Sequence, residues 1–371
     1  MQRLILHIIA GLLKASGLVL RVLPVRRRVA LLSRQGAKLS LDFQLLLDSW
    51  AEDGLGFSVA MCLTDPETKG VVQFMLNTLR QLRLAQTSSV VIVDGYVPAV
   101  SVPLKRRGVT VIQMWHAVGA MKKFGYECLD TPYGRSSDSA EILKMHRNYD
   151  HVVVGTKWSV RYFSKAFDCT PETIKPIGLP RIDYLTADEF AQRRNQVRSE
   201  ILEEFPQLSN GLPNVLYAPT FRRSESSFAY DQVIGARERL ALVPCNLIVT
   251  GHPLDNVGQD CKLPQNVMMG LRRKTIDLLM VADALITDFS AVTYESLAFG
   301  VPVFFYAPDA DEYRISPGLN VDPMMRFPDR FCTDLAQAAR MAAERKDEPM
   351  VNLEFPNNCI AAITNLVHGA L

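Results

Sequence analysis

The chain lacks the usual signatures of a stapled, metal-held or cofactor-held protein. Its seven cysteines are Cys62, Cys128, Cys169, Cys245, Cys261, Cys332 and Cys359. The number is odd and no two form a C-x-x-C pair, so a disulfide framework is not expected and a reducing compartment is the simpler reading. No ligand spacing supports a structural zinc site, and no Asp-rich metal motif is evident. No cofactor is therefore expected, and dependence on a divalent metal is left open. Gly54-x-Gly56 has no third glycine and no strand before it, so the dinucleotide fingerprint is absent. Gly and Pro, 21 each in 371 residues, exclude collagen-like and Pro-rich low complexity. Charge of one sign is lacking too. Lys and Arg number 41 against 39 Asp and Glu, a net +2, which does not indicate a nucleic-acid binder.

What is present is a globular composition, 48% apolar and 22% charged, with length enough for two domains. The charge is uneven. Residues 1–35 carry Arg3, Lys14, Arg21, Arg26, Arg27, Arg28 and Arg34 and no acid, leaving 34 basic against 39 acidic residues in the body. A basic, apolar head on a mildly acidic body points to an anionic membrane surface.

Residues 4–23 are long enough to span a bilayer. Their polar residues point elsewhere. His7, Lys14, Arg21 and Arg28 recur every seven positions and drift only about 20° per step on a helix, with Arg3 near the same stripe. The rest of that surface is apolar. Such a helix is expected to lie in the interface with its cations toward the headgroups. Lys14 interrupts the apolar run and no A-x-A site precedes Arg26, which disfavours a signal peptide. A transmembrane span would carry Lys14 near its centre at a cost of ~3 kcal/mol. Packing on the protein's own body is the plain alternative.

Beyond Arg28, short apolar runs alternate with helical stretches. Strands are expected at 29–33, 57–62, 90–93, 109–115 and 151–154, then at 214–217, 247–250, 267–269, 284–287 and 302–306. Helices are expected at 41–52, 70–84, 158–167, 232–242, 275–282, 294–299 and 334–345. Strands alternating with helices predict parallel sheets covered on both faces. The expected organisation is an interfacial helix at 1–25, an α/β domain at 26–185 and a second at 186–371, two doubly wound domains facing a cleft. Ligands of such sheets bind beyond the strands' carboxyl ends.

Four strand ends there are polar. Leu285 to Thr287 run into Asp288, Ser290 and Thr293 at the start of a helix, where free N–H groups and the helix dipole seat an anion; Glu295 would accept from ribose hydroxyls. An ordinary N-cap accounts for Asp288 or Ser290 but not for the whole cluster. Val111 to Trp115 run into His116, whose imidazole suits proton transfer, with Lys122 and Lys123 downstream. The histidine also reads as one simply bonding backbone. Val215 to Tyr217 run toward Thr220 and Arg222, the latter suited to a phosphate fork. Leu247 to Val249 run toward His252-Pro253. The last two also read as solvated loops.

These segments together resemble the CDP-glycerol glycerophosphotransferase family of wall teichoic acid synthesis. The resemblance covers about residues 110 to 320 and includes Gly178-Leu179-Pro180-Arg181-Ile182-Asp183 and the Asp309…Asp311-Glu312-Tyr313 stretch. It implies a GT-B arrangement of two Rossmann-like domains on the cytoplasmic face of the membrane. It also implies attack of an acceptor hydroxyl on the β-phosphorus of CDP-glycerol, with release of CMP. The short chain and amino-terminal helix are most similar to the priming members, whose acceptor is a lipid-linked saccharide. On this resemblance His116 is the base and His252 steadies the pyrophosphate or departing CMP. Thr287, Ser290 and the helix amides contact phosphate, and Arg222 matches a family arginine. Ala117-Val118, Thr250-Gly251, Glu295 and Ala291 depart from the family's pattern. They leave CDP-ribitol, another activated donor or a nucleotide sugar open.

Overall fold

The computed structural model describes residues 2–52, 54, 56–65, 71–220, 222, 227–250, 263–269, 271–348, 350 and 353–371. Two compact units are present, one of residues 1–184 with 355–371, the other of residues 185–354.

The first unit is built on a six-stranded parallel sheet: β1 (Arg26–Ser33), β2 (Ser58–Leu63), β3 (Ser88–Val93), β4 (Thr110–Gln113), β5 (His151–Val153) and β6 (Ile174–Lys175) in the order β2-β1-β3-β4-β5-β6. Val29–Leu32 and Val90–Val93 are fully buried, as continuous apolar strands must be when both faces are covered. The order reverses between β1 and β3, which is where such sheets bind ligands.

The second unit repeats the principle with β7 (Asn214–Tyr217), β8 (Asn246–Val249), β9 (Val267–Met269), β10 (Ala284–Thr287), β11 (Val303–Tyr306) and β12 (Phe331–Cys332), ordered β12-β11-β10-β7-β8-β9 and parallel throughout. This is the doubly wound 3-2-1-4-5-6 order, with its reversal between β7 and β10. Helices Phe228–Leu240 and Leu335–Glu344 pack their Ala, Val and Leu residues on one face. The α/β class expected from the sequence is the one observed.

One boundary differs from expectation. Residues 355–371 return to the first unit, and their helix Cys359–Ala370 is anchored there. Buried Asp183 accepts the Cys359 N–H at 2.9 Å and the Ile360 N–H at 2.8 Å. The carboxylate thereby satisfies two otherwise orphaned donors of the helix start. Trp50 adds a hydrogen bond from Nε1 to Thr364 Oγ1 at 2.9 Å. Gly178, at φ +83°, leaves no room for a side chain: a Cβ there would lie 2.2 Å from the Cys359 sulfur. The Gly178–Asp183 stretch thus joins the returning helix to the sheet.

The amino-terminal segment is a helix over Gln2–Val19 followed by a 3₁₀ turn at Leu20–Val22. It is long and apolar enough to cross a membrane by composition, and mostly unburied. Ala10, Leu13 and Gly17 form a narrow buried face, Gly17 lying against Pro103 and Leu82. Leu4, Ile5, Ile8, Leu12 and Val19 lie exposed on a different arc. The cationic stripe is shorter than its seven-residue spacing suggested. Arg28 lies in β1, not on the helix, and bonds Thr87 and Ser88. Arg21 donates to the Leu104 and Lys105 carbonyls, and Arg27 to Gly56 and Leu371. Arg26 opens the strand. His7 sits with Nδ1 2.8 Å from the Arg3 carbonyl, Arg3 approaches Asp138 at 3.7 Å, and Lys14 is exposed.

Candidate active site

In the first unit Leu32 is level with Val93, and Val93 with Gln113. Ser33, Asp94 and Met114 therefore leave the sheet side by side, and His116 follows one turn later. Buried Gln113 makes that turn. Its Nε2 donates to the Gly95 carbonyl at 3.0 Å and its Oε1 accepts the Trp115 N–H at 2.8 Å. Trp115 is held at φ +58°, a left-handed conformation uncommon for a bulky residue. Its ring packs 5.3 Å from Phe124 and 4.3 Å from the His116 ring.

His116 is exposed at this edge, with Nδ1 3.0 Å from the Asp94 carbonyl oxygen. A carbonyl only accepts, so Nδ1 carries the proton and Nε2 keeps a lone pair. Desolvation at this edge holds the imidazole's pKa below the ordinary value. The Asp94 carbonyl and Asp42 pull upward, and Arg181 downward. The ring is thus neutral at pH 7 and can receive a proton at Nε2.

Three charged groups surround it. Asp42, in the first turn of helix Leu41–Glu52, accepts the Arg181 N–H and Nε–H at 2.9 Å each, and a further guanidinium hydrogen bond. Burial raises the Asp94 carboxyl to about 7; Ser33 works against that rise and Asp42 adds to it. Neither Asp94 carboxylate oxygen has a hydrogen bond of ordinary geometry among the described residues. Sequence reasoning misses Asp42, Asp94 and Arg181 as site residues. The legible signal is Asp94-Gly95 directly after an apolar strand, the same pattern that marks His116. Lys122 and Lys123 follow the strand end. Both oppose the rise that burial imposes on the Cys128 thiol, and Lys123 opposes the same rise at Glu127.

In the second unit the strand ends of β7 and β10 meet at the order reversal. Buried Asp288 accepts the Thr220 N–H at 2.8 Å, the Thr220 hydroxyl at 2.7 Å and the Phe289 N–H at 2.6 Å through one oxygen. Its other oxygen lies 2.9 Å from the Arg222 guanidinium. Arg222 in turn grips Asp309 through Nε at 2.9 Å and a terminal nitrogen at 2.7 Å, donates to the Thr220 carbonyl at 2.9 Å, and lies 3.5 Å over the Phe228 ring. Burial opposes its charge, but Asp288, Tyr313 and Asp309 outweigh it and raise its pKa.

This corrects the expectation for Arg222. With a side chain 4% exposed and its donors taken by two carboxylates and a carbonyl, it fixes two strand ends and offers no free phosphate fork. Thr287 is likewise buried, donating to the Ala218 carbonyl at 2.6 Å, and Thr293 donates to the Ser290 carbonyl at 2.9 Å. Glu295 is buried on helix Val292–Phe299. Ser290 is partly exposed at that helix's start, its hydroxyl making, among the described residues, only a 3.5 Å contact with the Val292 N–H. The anion seat therefore reduces to Ser290 and the first-turn amides. His252 lies outside the described residues.

The family profile described as CDP-Glycerol:Poly(glycerophosphate) glycerophosphotransferase matches residues 17–350. The chain belongs to this family. Among curated members it is 29% identical over 331 residues to the teichoic acid ribitol-phosphate primase of Bacillus spizizenii, covering 84% of this chain and 82% of that one. It is 28% identical to the teichoic acid glycerol-phosphate primase of Bacillus subtilis, covering 70% and 66%. The fold matches a solved structure of the wall teichoic acid polymerase TagF with TM-score 0.71 at 16% identity, over 99% of this chain and 97% of that one.

The raised Asp94 pKa has a signed consequence. An acid whose folded pKa exceeds its unfolded one contributes stability below the unfolded value and loses it as pH rises through the folded one. The window for Asp94 runs from its ordinary 3.8 to about 7, a penalty on the order of 4 kcal/mol at pH 8. Asp94→Asn should raise the urea midpoint at pH 8 and give little gain at pH 4. An equal gain at both pH values contradicts this reading.

Proposed function

We propose that the protein is a teichoic-acid-type phosphotransferase of the priming class. It moves glycerol phosphate from CDP-glycerol to a hydroxyl of a lipid-linked saccharide and releases CMP. The observation that carries this reading is His116 at the strand-end edge, its Nδ1 3.0 Å from the Asp94 carbonyl, an acceptor that commits the proton to Nδ1 and so leaves the Nε2 lone pair for a substrate proton, in a member of this family. The acceptor hydroxyl gives its proton to Nε2 as its oxygen attacks the donor's β-phosphorus. The bond from that phosphorus to the bridging oxygen breaks, and the electron pair leaves with CMP. Ser290 and the first-turn amides of helix Val292–Phe299 are assigned to the donor's phosphates, where fixed dipoles offset charge on the leaving group. Arg222, Asp288 and Thr220 position that seat without touching the donor. Lys122 and Lys123 are assigned to the acceptor's phosphate, and Glu295 to the donor's ribose.

A second reading, ribitol phosphate from CDP-ribitol, is favoured by the ribitol-phosphate primase, whose match takes in 84% of this chain. Offering CDP-glycerol, CDP-ribitol and nucleotide sugars one at a time with a lipid-linked acceptor analogue decides between glycerol and ribitol by which CDP-alcohol is consumed, and tests both against a sugar donor by which nucleotide is freed. CMP release is expected, and UDP or GDP release from a sugar nucleotide overturns the proposal. His116→Ala should lower kcat roughly 10²- to 10⁴-fold with the donor's apparent KM little changed. Undiminished turnover removes His116 from the chemistry.

The same proposal places the amino-terminal helix in the membrane interface on the cytoplasmic side. Its support is the exposed arc of Leu4, Ile5, Ile8, Leu12 and Val19 beside exposed Lys14. Deleting the helix would strip Ala10 and Leu13 from the core, so the better test changes the outer arc. Ile5→Glu with Leu12→Glu should keep the melting temperature and weaken vesicle binding by roughly a hundredfold or more, since each buried apolar side chain contributes about 1.5–3 kcal/mol. Unaltered sedimentation with anionic vesicles contradicts the placement.

A further inference from the structure

A cavity of about 300 Å³ opens at the amino-terminal edge of the first unit's sheet, lined by Arg26, Arg28, Arg80 and Arg83 and by apolar Leu23 and Leu84. None of its lining residues is acidic. Four cations in one concavity repel one another and are not explained by folding alone. Arg28 has a structural role. Its Nε donates to Ser88 Oγ at 3.0 Å and a terminal nitrogen to Thr87 Oγ1 at 2.8 Å, closing the end of helix Val71–Thr87. Burial, then Arg26 and Arg83, push its pKa down, the mark of cations held together without a counterion. Arg26, Arg80 and Arg83 are exposed, and no ion pair or hydrogen bond of their side chains occurs among the described residues. The cavity is remote from His116, because β1 runs its whole length, roughly 23 Å at ~3.3 Å per residue, from Arg26 toward the edge where Ser33 and Asp94 emerge.

We propose that this pocket binds a phosphate monoester, its dianion forked by Arg26, Arg80 and Arg83 and its alcohol portion resting on Leu23 and Leu84. Guanidinium groups suit this ligand, since each presents paired donors to two phosphate oxygens. The surroundings fit a phosphate carried on a lipid as well as a soluble one. Leu23 continues directly from Val19 and Val22, which are 68% and 83% exposed, so the pocket borders the outer apolar arc of the helix.

The full-length protein is titrated first with glycerol 1-phosphate, then with phosphatidylcholine vesicles with and without phosphatidate. Both experiments are repeated on Arg26→Ala with Arg83→Ala, which leaves the Arg28 contacts in place. Saturable binding of glycerol 1-phosphate, weakened at least tenfold in that variant, is the expected result. A phosphatidate-dependent gain in vesicle affinity that the variant loses assigns the lipid headgroup as the source. Phosphate binding without that gain assigns a soluble monoester. A second variant, Arg26→Lys with Arg83→Lys, keeps the charge and removes the forks, and should bind several-fold more weakly than the parent. The proposal is overturned if the parent binds neither ligand, if the alanine variant binds both as the parent does, or if the lysine variant keeps full affinity, which diffuse surface charge would explain. These readouts are of binding alone, so they stand apart from the catalytic reading.

Discussion

A parallel sheet delivers every strand's carboxyl end to one edge, and both units of this chain depend on that constraint. The inner strands, largely buried on both faces, are mostly apolar until they leave the sheet, and polar residues follow at the edge where the order reverses. In the first unit that edge holds Ser33, Asp94 and His116; in the second it holds Thr220, Arg222 and Asp288. The two edges handle charge oppositely. The second neutralises it internally, with Arg222 clamped by Asp288 and Asp309, and leaves a hydroxyl and helix amides outward. The first keeps an imidazole neutral and holds a carboxyl, Asp94, at about 7. On the proposed function the first edge would supply the base and the second the anion seat; a fixed cation in place of the base could not take the proton.

Much of this is legible in the chain. The short apolar runs mark ten of the twelve strands to within a few residues, because burial of most of each strand leaves a continuous pattern. The two missed, β6 and β12, have two residues each and no periodicity to read. The returning helix Cys359–Ala370 reads as part of the second domain because its anchor, Asp183, lies 176 residues before Cys359. Side-chain roles are less legible than backbone. Arg222 looks like a phosphate ligand until Asp309, 87 residues on, is seen to occupy its fork. A seven-residue repeat of cations suggests one helical stripe, but Arg28 falls in a strand and Arg21 binds backbone carbonyls. Local spacing cannot report partners supplied by another element.

In the proposed placement, the amino-terminal helix serves two surroundings. Small residues let it dock: Gly17 sits against Pro103, and Ala10 and Leu13 enter the core of the first unit. Large residues on the outer arc remain uncovered, an arrangement unfavourable in water and favourable at a membrane. The helix leads through Leu23 directly into the arginine-lined cavity at the start of β1. The exposed apolar arc and the arginine-lined cavity are thus adjacent on one unit, at the sheet edge opposite the proposed base.

The central claim is that His116 is a neutral base with its proton on Nδ1 and its lone pair on Nε2. Nitrogen-15 NMR of the histidine-labelled protein reads that state directly. The account predicts an Nδ1–H tautomer at pH 7 that takes its second proton only below the ordinary histidine pKa of ~6.5. An Nε2–H tautomer, or a ring already charged at pH 7, would contradict it.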